Sequence, residues 1–210
     1  MNERENCVTV NGTDINAFFM RYYLNAARLE KVREVKREGR KLDLQDLIER
    51  AVDLLRYDYA ILNDQNIMPL QDDLFEHIIK ELREENESRK KAIENGETVY
   101  GVTSFSFETY LDYIKENRIV MLRNYLHEQN CLSVEDKDLE EFYMQIKNSD
   151  PLFLDDKGEL KNLDSVRAKV MYFYEQNEIC KYLKAAIAKQ EVNCKWENLI
   201  HLANCFENNN

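Results

Sequence analysis

The chain has 210 residues, 44% of them hydrophobic, enough for one substantial domain or two small lobes around a buried core. Forty acidic against 29 basic side chains give a formal net charge of -11, which disfavours a nucleic-acid partner or docking on anionic membranes, since both need a basic face. Five Gly and two Pro are too few for the many tight turns of a sandwich or barrel, so helices joined by few connections are expected.

Residues 8–15, VTVNGTDI, alternate apolar and polar side chains and carry Asn11-Gly12, a dipeptide that accepts positive φ. They predict a short strand or the start of a hairpin. Asp14 or Asn16 then caps a helix bearing Phe18, Phe19, Tyr22, Tyr23, Ala26, Ala27 and Leu29, and the charged run through Gly39 reads as a solvated helix end or connection. Residues 42–62 carry the cleanest helical stripe: Leu44, Leu47, Ile48, Ala51, Leu54, Leu55, Tyr59 and Leu62. Pro69 is placed for the first turn of the next helix. That helix is apolar through Leu82 and almost wholly charged from Arg83 to Lys91, with Glu84 and Glu87 spaced to pair with the basic residues that follow. Asn95-Gly96 supplies its exit.

A second extended segment is expected at 98–102. Ser104 or Ser106 caps a helix with Phe107, Tyr110, Leu111, Ile114, Ile119, Leu122, Tyr125 and Leu126. Ser133 and Asp136 have the spacing of a capping box opening a shorter helix. Residues 148–160 hold both Pro151 and Gly158 and read as a loop or lobe boundary. Helical spacing resumes over 162–192, a short helix is expected over 194–206, and the ENNN tail is expected to fray.

Five cysteines, odd in number and without a C-x-x-C pair, predict reduced thiols rather than a disulfide framework. The N-terminus lacks a basic and an apolar signal region, and no stretch is long enough to span a bilayer. The expected location is therefore cytoplasmic as the sequence is written, or extracytoplasmic if a signal sequence has been removed. His77, His127 and His201 stand apart, without a second ligand at helical spacing, and Glu84, Glu85 and Glu87 read as a solvated face. Neither a phosphate-cradling loop nor a nucleophile elbow is present. No catalytic residue, cofactor or metal is expected.

Taken in order, these pieces resemble the chaperone part of the SurA/PrsA-type, parvulin-associated foldases. V-x-V-N-G-x-x-I at 8–15 is similar to the family's entry strand, and DLIERAVDLLRYDYAIL to its second helix. EENESRKKAIENGETVYG before FSFETYLDYI resembles a bacterial branch with a Glu-Asn-x-x-Arg helix and a Tyr-Gly turn. SVEDKDLEEFY resembles the segment that precedes the isomerase domain, and DSVRAKVMYFYEQNEICKYLKAAIAKQEV the helix that returns after it. The resemblance covers residues 8–192 and implies an all-α fold with one or two very short strands, like the helical chaperones SurA and trigger factor. It implies an N-terminal helical chaperone region at 1–147 and a C-terminal helix at 162–210 that packs back on it. In place of the parvulin domain stands only the loop at 148–161, so isomerase activity does not carry over.

The 12 Tyr and 9 Phe cluster in a way that suits a chaperone-like binder of unfolded or extended peptide. Phe18, Phe19, Tyr22, Tyr23, Tyr57, Tyr59, Tyr100, Phe105, Tyr110 and Tyr113 are the candidate peptide-binding residues. The competing expectation is a dedicated adaptor for one specific peptide or enzyme, for example in peptide maturation. Either protein could form a homodimer.

Overall fold

The computed structural model describes residues 3–39, 43–71, 73–155 and 157–207. The expected helix start at 42, part of the charged run before it and most of the ENNN tail lie outside them. Among the described residues the protein is mainly α, with seven helices and one small antiparallel sheet. The chain forms two compact units, Met1–Ile119 with Ala186–Asn210, and Val120–Ala185.

In the first unit the alternating entry segment forms strands β1 (Asn6–Val10) and β2 (Thr13–Asn16), joined by Asn11 and Gly12, both at positive φ. The Asn16 side chain accepts hydrogen bonds from the amides of Phe18 and Phe19 and so caps helix α1 (Ala17–Glu38). Asp43 does the same for α2 (Leu44–Leu62) through the amides of Gln45 and Asp46. Of the apolar stripe of α2, Leu47, Ile48, Ala51, Leu55, Tyr59 and Leu62 are buried and Leu44 and Leu54 half-buried, in one core with Phe19, Met20, Tyr23, Leu24 and Ala27 of α1.

Pro69 does not open the next helix. The side-chain amide of Asn63 bonds both the N–H and the C=O of Gln71, which fixes residues 63–71 as a loop, and α3 (Leu74–Glu94) begins beyond it. At its other end the amide of Gly96, at φ 74°, donates to the Ile93 carbonyl and that of Glu97 to the Ala92 carbonyl. This is the two-bond exit that the Asn-Gly pair predicts. Helix α4 (Phe107–Glu128) follows, its first turn closed by reciprocal bonds between Ser106 and Thr109.

The third strand is β3 (Val192–Cys194), which pairs with β1 through Val10↔Val192 and Val8↔Cys194. The strand expected at 98–102 is absent: no partner strand reaches it, and its carbonyls are held by a side chain instead. Helix α7 (Trp196–Glu207) packs Leu199, Leu202 and Ala203 into the same core as α1, α2 and β1. At the junction, Arg56 of α2 donates to the carbonyl of Ile187, and Gln190 donates to the carbonyl of Arg56. The C-terminal stretch thus closes on the N-terminal strands within one unit.

The second unit contains the end of α4, helix α5 (Asp136–Ile146), a 3-10 turn at Pro151–Phe153 and most of α6 (Leu163–Ala188). Leu139, Tyr143, Phe153, Val166 and Val170 form one buried cluster in it, and Leu122, Leu126, Leu132, Ile179 and Leu183 are buried as well. The loop at 148–161 is folded onto that cluster rather than free: Phe153 is fully buried, Leu154 bridges Leu160, and the Tyr143 hydroxyl donates to the Lys161 carbonyl. The Ser133 capping box does not form, because the Ser133 hydroxyl donates back to the Asn130 carbonyl and Glu135 takes the N-cap position. The division between the units falls within the residue ranges of α4 and α6, not at 148–161.

Candidate peptide-binding surface

The charged end of α3 organises the segment that follows it. Arg89, its side chain only 16% exposed, donates to the carbonyls of Tyr100 at 3.0 Å and Val102 at 2.7 Å, is bonded to Glu85 at 2.7 Å, and lies 4.7 Å over the Phe105 ring. One turn earlier, the Asn86 amide both donates to the Phe105 carbonyl and accepts from its N–H. Glu85, Asn86 and Arg89 are the Glu-Asn-x-x-Arg residues of the sequence, and together they tie residues 100–105 to the helix.

Tied down in this way, residues 100–104 are exposed while Phe105 turns in beneath Arg89. Tyr100 is 86% exposed, and Val102 and Ile93 are also exposed beside it in sequence and on the adjoining helix end. A groove of about 660 Å³ runs along α3 against the segment, lined by Arg83, Asn86, Glu87, Lys90, Ile93 and Glu94 on one side and by Thr103 and Ser104 on the other. Below lies a ring cluster in which Phe105 meets Tyr110 and Tyr113, both at 5.4 Å.

The ten candidate aromatics divide between surface and core. Phe19, Tyr23, Tyr59 and Tyr110 are core residues. Phe18, Phe19 and Tyr22 form a second ring cluster with Phe107, and Phe75 joins it through Phe19 and Tyr23. Tyr59 hydrogen-bonds Thr13 and Asn63. Phe18, Tyr57, Tyr100 and Tyr113 are exposed, while Tyr22 and Phe105 are half-buried. These rings do not make one continuous cradle. Phe75 and Phe107, absent from the candidate set, are what join α3 and α4 to the aromatics of α1.

One group of titratable residues was not anticipated. Asp58, 7% exposed on the buried face of α2, accepts from the Lys115 ammonium at 3.2 Å and from the Tyr23 hydroxyl at 3.3 Å, while Lys115 also bonds Asp112 at 2.9 Å. Burial raises the Asp58 carboxyl above the usual range, against the pull of Lys115. Burial opposes the charge on Lys115, but Asp58 and Asp112 hold its pKa above the ordinary lysine value. Tyr23, fully enclosed and beside Asp58, is pushed well above 10.0. An acidic residue three positions after Leu55 on the stripe was the available signal.

The histidines are dispersed: His77 faces Glu81 at 3.3 Å on one helix and His127 faces Glu175 at 3.4 Å in the second unit. Among the described residues no group of three or more His, Cys, Asp or Glu side chains could hold a metal ion, and no helix is long and apolar enough to cross a membrane. No family model matches the chain, and no curated protein or solved structure matches it either.

Proposed function

We propose that the protein binds extended polypeptide segments in the manner of a chaperone, independently of nucleotide and without isomerase chemistry, using the groove between α3 and Thr103–Ser104 together with the exposed Tyr100 of the same clamped segment. The observation that carries this reading is the clamp: Arg89 and Asn86 fix the backbone of a segment whose most prominent side chain, Tyr100, has almost no protein around it. An aromatic ring held out on an immobilised backbone loses little freedom when it is covered, which favours binding. The order of sequence pieces shared with the SurA/PrsA-type foldases supports the same reading, and the proposed relationship is to their helical chaperone part with the parvulin domain missing.

A second reading, a dedicated adaptor for one partner, is favoured by the rigidity of this surface, since promiscuous binders use deformable ones. Light scattering separates the two. A chaperone suppresses aggregation of several unrelated denatured proteins at near-stoichiometric ratio, and Tyr100→Ala with Val102→Ser weakens that effect several-fold. Suppression of none of them, with capture of a single partner, assigns the adaptor role. A proline-limited refolding assay should show no acceleration, and a rate gain like that of a parvulin would overturn the non-catalytic reading.

A further inference from the structure

The polarity of the groove narrows what it takes. Its charged residues alternate along one face of α3 as Arg83, Glu87, Lys90 and Glu94. Glu87 lies 3.8 Å from Lys91 and Glu94 4.0 Å from Lys90, so both carboxylates have a compensating ammonium. Both polar atoms of the Asn86 amide are used by Phe105. Among the described residues, Arg83 is the groove charge with no oppositely charged neighbour within 4 Å. Towards the other end stands exposed Ile93, the one apolar side chain of the lining, beside the paired Lys90 and Glu94. Ten helical residues separate Arg83 from Ile93, about 15 Å at 1.5 Å each. An extended segment covers that length in four to five residues.

Resting on the segment-binding reading, we propose that the groove selects a client segment with an apolar side chain at Ile93 and an Asp or Glu side chain four to five residues away on Arg83. The exposed Thr103 and Ser104 hydroxyls on the opposite wall are placed to meet the segment's backbone. The guanidinium fork suits a carboxylate in particular. A single carboxylate in an otherwise neutral segment is preferred, because the net charge of -11 repels strongly acidic chains.

Fluorescein-labelled octapeptides with Leu-Val near one end and Glu, Gln or Lys four residues on, titrated with the full chain by anisotropy, test this. The Glu peptide should bind about fivefold more tightly than the Gln peptide and about tenfold more tightly than the Lys peptide, as expected for one exposed ion pair and its reversal. Arg83→Gln should erase the order and Arg83→Glu should invert it. Arg83 is exposed and without an ion-pair partner, so both variants should keep the wild-type circular dichroism. Equal affinity for all three peptides, with binding still lost in Tyr100→Ala, sinks the charge selection and leaves the segment-binding reading standing. Binding of none of the peptides to the wild type, or binding indifferent to both Tyr100 and Arg83, sinks both.

Discussion

Two polar clamps in the first unit use similar chemistry to different ends. Between α1, α2 and α4, Lys115, Asp58 and Tyr23 form a buried network inside a hydrophobic core. On the surface, Arg89 and Asn86 bind the carbonyls and one amide of a loop, with an aromatic face beneath the guanidinium. In the interior an unpaired group would have no water to turn to, so the network sets stability and the alignment of three helices. At the surface water can replace part of what is lost, so the clamp adds less stability than the interior network and mainly restricts the conformations of residues 100–105.

The sharpest way to break the comparison is to remove one partner of the interior clamp. Lys115→Met leaves the Asp58 carboxyl buried without its cation and should cost about 3–5 kcal/mol in urea unfolding, with much of it recovered in the double variant with Asp58→Asn. Equal costs for the single and double variants would show that the lysine stem, not the ion pair, matters.

Raising the pH attacks the same core next. Burial raises the Cys7 thiol from 9.0 to about 11, Tyr110 from 10.0 to about 12 and Tyr23 well above 10.0. Each folded pKa lies above the unfolded one, so between the two values the unfolded chain has already released a proton that the folded chain retains. The stability these groups contribute is therefore intact below pH 9 and declines as pH rises through 9 to 12, and the raised pKa of Lys115 extends the loss above 10.5. Denaturation midpoints taken from pH 8 to 11 should fall steadily after the first, and a flat profile contradicts the burial of these groups. The surface clamp uses none of these thiol, phenol or ammonium groups, so segment binding should outlast the first loss of stability.

What could be read from the amino acids follows the same division. Local signals survived: the stripe of α2, the Asn16 cap, and the Asn95-Gly96 exit all depend on residues a few positions apart. The signals that failed depended on which contact a residue makes among several open to it, near or far in sequence. Residues 98–102 have no strand to pair with, whereas β1 lies between β2, one turn away, and β3, more than 180 residues away. Pro69 was misplaced because Asn63 and Gln71 close a loop around it. At the candidate site, exposure was the illegible property: Tyr23 and Tyr22 adjoin in sequence, but helical rotation gives one to the core and leaves the other half-covered. The Glu-Asn-x-x-Arg residues were visible as a pattern, while their role in holding a loop required the fold.

Arg89→Ala sharpens the comparison from the surface side. It removes two carbonyl contacts, the pair with Glu85 and the stacking on Phe105, and should lower stability by about 1–2 kcal/mol. Its larger effect should be local: amide exchange of residues 98–105 should approach that of an open loop, and segment binding should weaken more than stability does. Arg89→Lys should rescue the charge pair with Glu85 but not the contact with two carbonyls at once, so it should restore stability ahead of binding.

The smallest effect expected lies at the turn between the helix and the clamped segment. Gly96 has φ 74°, and a Cβ placed there meets nothing within 4 Å, so Gly96→Ala tests backbone conformation free of any clash. The left-handed conformation should cost it about 1 kcal/mol. If Arg89 and Asn86 hold residues 100–105 independently of the turn, the alanine variant should lose that stability while keeping its segment affinity within about twofold. A parallel collapse of affinity would show that the turn, and not the side-chain clamp, positions Tyr100.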